Sequence, residues 1–442
     1  MTRLKTKLLM AMALCAGTGH ILPVQAQAQM QVQTQAQTHA PASAIPASAP
    51  AAAPADRSLP RVFSAELMGT YSQERLTQIG QGELQAFLTG SPMGYEHFKG
   101  KFATPVNALK LYRLRYLSVV PEMGNRSVVA SGLVAIPDTA ATTLPVISYQ
   151  HGTVFEKDSV PSRPDQSLET RLILSQFGGQ GYAVIAADYF GLGDSELPNS
   201  YFARDSIEQS TFDLYVAAMK FLEQQGKRPR ALATMGWSQG GYSNMILLRK
   251  LEREGIPVAA SVTAAGAVDI GLFVLRGLTN PRPNEASFRA AALSNMLFAL
   301  ESYRGMAGMT RDALRPEFYP TAKAFFDFKI DFAEFLKRVP IDPRDMMRPE
   351  FIEQMTLGRG AFVQMLDESA SYRWLSRTPL RAYSGEVDEA VPDFVARLAV
   401  DYQMVLGKRN GEAFSAGPKA DHRATYVHAL IHAKPWVDER TR

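Results

Sequence analysis

The sequence predicts an α/β protein. Its sheet is mostly parallel with an antiparallel start, flanked by helices and interrupted late by a helical insertion. Three observations carry that prediction. Between residues 144 and 267, short apolar runs alternate with helical patterns, as buried parallel strands do when crossover helices join them. Two runs of alternating polarity stand ahead of them and read as a hairpin. After Asp269 the alternation stops for roughly a hundred Phe- and Met-rich residues, then resumes at Leu380.

The start of the chain reads as an export signal. Arg3, Lys5 and Lys7 precede a mostly apolar, small-residue stretch over residues 8–24, and Val24-Gln25-Ala26 offers a cleavage point. Ala26-Gln27-Ala28 is an alternative. His20 and the glycines argue against a spanning helix, which needs about 20 predominantly apolar residues. The expected layout is a signal over 1–26 and a disordered Ala/Gln/Pro linker over 27–58. An α/β core follows over 59–268 and 376–442, with a helical cap over 269–375. Cys15, the sole cysteine, lies in the signal. The mature chain then has neither disulfide nor thiol nucleophile. Three of the net +4 charges leave with the signal, so nothing suggests a nucleic-acid partner. Periplasm or medium is the expected location, with no membrane span left after cleavage. Oligomeric state is not legible.

Along the core, residues 111–120 and 126–136 alternate as the two strands of an antiparallel hairpin. Residues 144–149 form a short buried strand, 168–176 a helix, 182–187 a second buried strand and 212–225 another helix. Residues 230–235 form a strand, 242–252 a helix and 258–267 a strand. Seven prolines between Pro281 and Pro349 break the insertion into short helices.

Chemistry enters at Gly236-Trp237-Ser238-Gln239-Gly240. A G-x-S-x-G between strand and helix is where a serine becomes a nucleophile, because the flanking glycines allow a cramped turn. A serine hydroxyl still needs a base, and the base an orienting carboxylate. Both are expected after the insertion, in the order nucleophile, acid, histidine. The acid candidate is Asp388, in the loop after a strand ending near Ser384, with Glu386 next and Glu389 and Asp393 competing. The base candidate is His422, read as a loop residue between a short strand at 413–417 and a final helix at 424–437. His428 and His432 lie four apart on that helix. They lack the carboxylate of a metalloprotease pattern and read as a partly exposed face. No metal or organic cofactor is called for.

Gln150-His151-Gly152-Thr153 follows the strand at 144–149. Such a loop presents a backbone N–H beside that of the residue after the serine, so Thr153 and Gln239 are the oxyanion-hole candidates. His151 is expected to brace the loop. In Asp188-Tyr189-Phe190-Gly191-Leu192-Gly193-Asp194-Ser195, Asp194 is expected to bond loop amides. The loop lacks the glycine pattern of a nucleotide site.

Taken together, the Tyr149–Thr153, Ala187–Gly193 and Met235–Gly241 segments and the surroundings of Asp388 and His422 resemble an α/β-hydrolase. More narrowly, they resemble the secretory lipases and bacterial secreted esterases. The resemblance implies serine carboxylesterase or lipase activity on small or lipid-like esters, with a helical cap where this chain has its insertion. The chain departs from the fungal lipases in lacking their cysteines. A serine peptidase or amidase of the same fold is the alternative, and a non-catalytic binding protein the remote one. Ester against peptide hydrolysis separates the first two, and reaction with a fluorophosphonate excludes the third.

Overall fold

A computed structural model describes residues 62–282, 285 and 288–442. The expected signal (1–26) and linker (27–58) lie outside the described residues. The sheet has nine strands: β1 (Val62–Tyr71), β2 (Leu109–Val120), β3 (Arg126–Pro137), β4 (Thr143–Gln150), β5 (Ala183–Ala187), β6 (Arg228–Trp237), β7 (Ala260–Ala264), β8 (Leu380–Ser384) and β9 (Gly411–Ser415). They lie in the order β1-β2-β3-β5-β4-β6-β7-β8-β9. The first three pair antiparallel, and β3 pairs antiparallel with β5. From β5 to β9 every neighbour is parallel. The expected antiparallel start and parallel remainder are both present.

β1 is absent from the sequence reading. It is a half-exposed edge strand in which Phe63 and Leu67 face water, so its polarity does not alternate cleanly. The helix expected at 212–225 starts earlier, at Arg204–Gln224. The final helix is His422–Thr441, longer than expected at both ends.

Successive side chains of a strand face opposite ways, and the core divides accordingly. Ile147 and Tyr149 of β4 pack with Val262, Tyr426, Val427 and Leu430 under the final helix. Val146 of the same strand packs on the other face with Leu214, Phe221, Leu247 and Leu251 from helices Arg204–Gln224 and Gln239–Arg253. Between β7 and β8 runs a separate apolar cluster of short helices, built from Phe298, Phe325, Phe326, Phe335, Met346 and their neighbours. A cavity of about 420 Å³ opens at the base of that segment, beside Asp269, Leu272, Leu357 and Arg373. Ser238 is not part of its wall. Among the described residues no helix is long and apolar enough to cross a membrane.

The topology marks where a site can form. From β4 the chain crosses to β5 on one side, and from β6 it crosses to β7 on the other. A crevice opens outside the carboxyl ends of strands whose connections diverge in this way. Gln150 pairs with Gly236 at the ends of β4 and β6. The loop bearing Thr153 and the turn bearing Ser238 therefore leave the sheet side by side.

Candidate active site

Ser238 sits between β6 and helix Gln239–Arg253 with φ 59° and ψ −121°. A non-glycine residue rarely adopts a positive φ, and here the surrounding contacts enforce it. A Cβ on Gly236 would stand 1.9 Å from the Gly240 carbonyl oxygen, and one on Gly240 would stand 1.9 Å from that of Gln150. Only glycine fits at either place, so the helix start presses against the ends of both strands. The Ser238 amide donates to Ala264 O at 2.9 Å, and Ser238 O accepts from the Ala267 amide at 3.2 Å. β7 thus grips the turn from its other side.

Asp388 and His422 meet. The His422 Nδ1 lies 2.9 and 3.0 Å from the two carboxylate oxygens of Asp388. One of those oxygens also accepts the amides of Ala390 (2.9 Å) and Val391 (2.8 Å). His422 does not lie in a loop, as its sequence context suggested. It is the first residue of the final helix, whose N-cap Asp421 accepts the Ala424 amide at 2.8 Å. The His422 amide donates to Glu389 at 3.0 Å. Burial works against a charged imidazole there. The Asp388 carboxylate and its hydrogen bond, with Glu389 and Asp421, outweigh it and raise the His422 pKa above the ordinary value. Glu386 turns away and accepts from Ser415 at 2.8 Å.

Trp237 links this pair to the serine. Its ring lies 4.9 Å from that of His422 and stacks 4.9 Å from that of Tyr426. Its indole N–H donates to His422 O at 3.2 Å. Among the described residues, the Thr153 and Gln239 amides donate to no protein acceptor. The Thr153 hydroxyl bonds the Tyr201 hydroxyl at 2.9 Å.

His151 braces the loop as expected. Its nitrogens lie 2.8 Å from Gly152 O and 3.2 Å from Asp188 O, and its ring stacks on Tyr189. Burial pulls its pKa down to about 4. The neutral ring has one N–H for those two carbonyls. Asp194 departs from expectation: it pairs with Arg115 and Arg163. The loop amide, that of Ser162, goes instead to Asp188 at 2.9 Å. His428 and His432 stack on one another, half-buried and exposed respectively. Among the described residues no three His, Cys, Asp or Glu side chains are grouped to hold a metal.

One buried group escaped the sequence reading. Glu169, 8% exposed, accepts the Gly152 amide at 2.8 Å and the Tyr149 hydroxyl on the same oxygen. Burial, partly offset by those two bonds and by His422, pushes its pKa up to about 7. The only sequence signal was its place two residues after the helix N-cap Ser167.

No family model and no curated protein matches the chain. Solved structures do. A putative hydrolase from Legionella pneumophila superposes with TM-score 0.75 at 22% identity, covering 86% of this chain and 98% of that one. The fold is that of the α/β-hydrolases. The rice cell wall degrading esterase LipA from Xanthomonas oryzae gives a TM-score of 0.72 at 17% identity, covering 86% of this chain and 99% of that one. Candida antarctica lipase A in its closed state gives 0.59 at 16%, over 82% and 77%. The expected likeness to α/β-hydrolases is borne out at the level of fold.

Proposed function

We propose that this α/β-hydrolase-fold protein is an exported serine carboxylic-ester hydrolase. One observation carries the reading: a buried carboxylate–histidine pair packs against Trp237, the residue that precedes a serine held at positive φ on a strand-to-helix turn. His422, oriented by Asp388, takes the Ser238 proton. Ser238 Oγ attacks the ester carbonyl, and the Thr153 and Gln239 amides receive the oxyanion. The alkoxide leaves with the proton from His422. Water, deprotonated by His422, then releases the acid. The raised pKa of His422 suits this exchange, because the imidazolium forms as the serine is deprotonated.

The aromatic helices between β7 and β8 act as a cap, and their apolar character favours acyl chains or aromatic esters over sugars. Two of the structural neighbours are named as an esterase and a lipase. The basic start and apolar stretch of residues 3–24 support export to periplasm or medium.

The test is hydrolysis of p-nitrophenyl esters from acetyl to palmitoyl by the wild type and by Ser238→Ala. Activity is expected on at least one chain length, and the alanine variant is expected to lose at least about 10⁴-fold in kcat. Unchanged ester turnover by Ser238→Ala would remove the serine mechanism.

A further inference from the structure

We propose that Glu169 is a positioning residue for the oxyanion site: its buried side chain pins the Gly152 amide, leaving the next amide, that of Thr153, free and held in place. The proposal rests on the ester-hydrolase reading and adds a residue to it.

The geometry starts from Gly152, whose amide donates to Glu169 Oε1 at 2.8 Å. A Cβ at Gly152 would lie 3.3 Å from Glu169 Oε2, 3.2 Å from the Trp237 ring and 3.4 Å from Trp237 O. The loop therefore passes between the Glu169 carboxylate and the residue that precedes Ser238. Glu169 is itself anchored. Tyr149 of β4 donates its hydroxyl to the same oxygen, and the Tyr426 hydroxyl donates to the Glu169 backbone carbonyl at 3.1 Å. Tyr426 in turn stacks on Trp237. The loop after β4, the turn after β6 and the final helix are thus tied together behind the crevice.

The chemistry of the choice is telling. Among the described residues no Lys or Arg bonds this carboxylate, although a buried charge without a cation is costly. A neutral side chain would serve packing alone at lower cost. An acceptor that reaches one particular amide is what Glu169 supplies. An oxyanion donor displaced by a fraction of an ångström loses most of its effect, because it must meet the oxygen at about 2.7–3.1 Å.

Two variants of the full-length chain separate reach from charge. Glu169→Asp keeps the charge and draws the carboxylate back by one methylene. Glu169→Gln loses the charge and keeps an oxygen at the same reach. Expected for Glu169→Asp is a fall of about 10–100-fold in kcat with KM within about threefold, and an equal weakening of a trifluoromethyl ketone, whose adduct carries an oxyanion. Glu169→Gln is expected within about fivefold of wild type on both measures. The clamp is overturned if Glu169→Asp keeps the wild-type kcat, if Glu169→Gln falls as far, or if the loss appears only in KM or melting temperature. Failure of the underlying reading shows elsewhere: Ser238→Ala would stay active, and Ser238 would resist a fluorophosphonate.

Discussion

Asp388 follows β8 and Glu169 lies on the helix that follows β4, on opposite sides of β6, and both residues are buried. Asp388 accepts a histidine N–H and two amides. Glu169 accepts one amide and one tyrosine hydroxyl. In the proposed mechanism the first faces an imidazole that gains a proton. The second is built to reach, and burial drives its pKa up to about 7. Burial alone therefore does not set what a carboxylate does; the number and kind of its donors do.

The sharpest way to break this contrast is to remove the charge on the β8 side. Asp388→Asn is expected to lower kcat by roughly 10³–10⁴-fold. In the wild type, kcat/KM rises with pH as His422 loses its proton, with its inflection above the ordinary histidine value. In the variant that inflection moves down, because the carboxylate that raises it is gone. A variant with wild-type kcat and an unmoved inflection would place the orienting acid elsewhere.

A second change tests the seam between the two sides. Gly240→Ala places a methyl 1.9 Å from Gln150 O, a backbone atom that cannot rotate away. Unfolding in urea is expected to show a loss of about 2–4 kcal/mol, with ester turnover reduced as well. Retained stability would mean that β4 and the helix start can part.

A last effect is visible only as a change with pH, because two trends cancel. The pKa of His151 is lowered to about 4 from 6.5, so its contribution to stability is present above 6.5 and lost as pH falls toward 4. The pKa of Glu169 is raised to about 7 from 4.5, so its contribution is full below 4.5 and lost as pH rises through 7. Across their shared window the two trends oppose one another. Glu169→Gln removes one of them. Between pH 6.5 and 4.5 it is expected to lose about 3 kcal/mol more than the wild type, measured by urea unfolding at each pH. Parallel stability curves would show that Glu169 titrates normally.

The parts of the molecule that were legible in the sequence are those written locally. The serine turn carries its glycines within two residues on each side, and β4 through β7 read as short apolar runs. Asp388 was identifiable because a strand ends and a helix begins within a few residues of it. His422 was placed in a loop although Asp421 is a good N-cap residue, a signal that set the helix start one residue later. Glu169 was invisible for a different reason. Its partners Tyr149 and Gly152 lie 20 and 17 residues away, and no spacing rule connects a helix start to the end of the strand before it. The connection from β4 to β5 brings its helix back beside the end of β4 and creates that contact, so only the folded arrangement reveals it.

Trp237 gives the site an optical handle. Its indole lies 4.9 Å from the His422 imidazole, close enough for an excited indole to pass an electron to a protonated ring. Trp237 emission is therefore expected to dim when His422 carries its extra proton and to brighten when it gives it up. Of the three tryptophans, this one would report the charge of His422 with no dye and no substrate present.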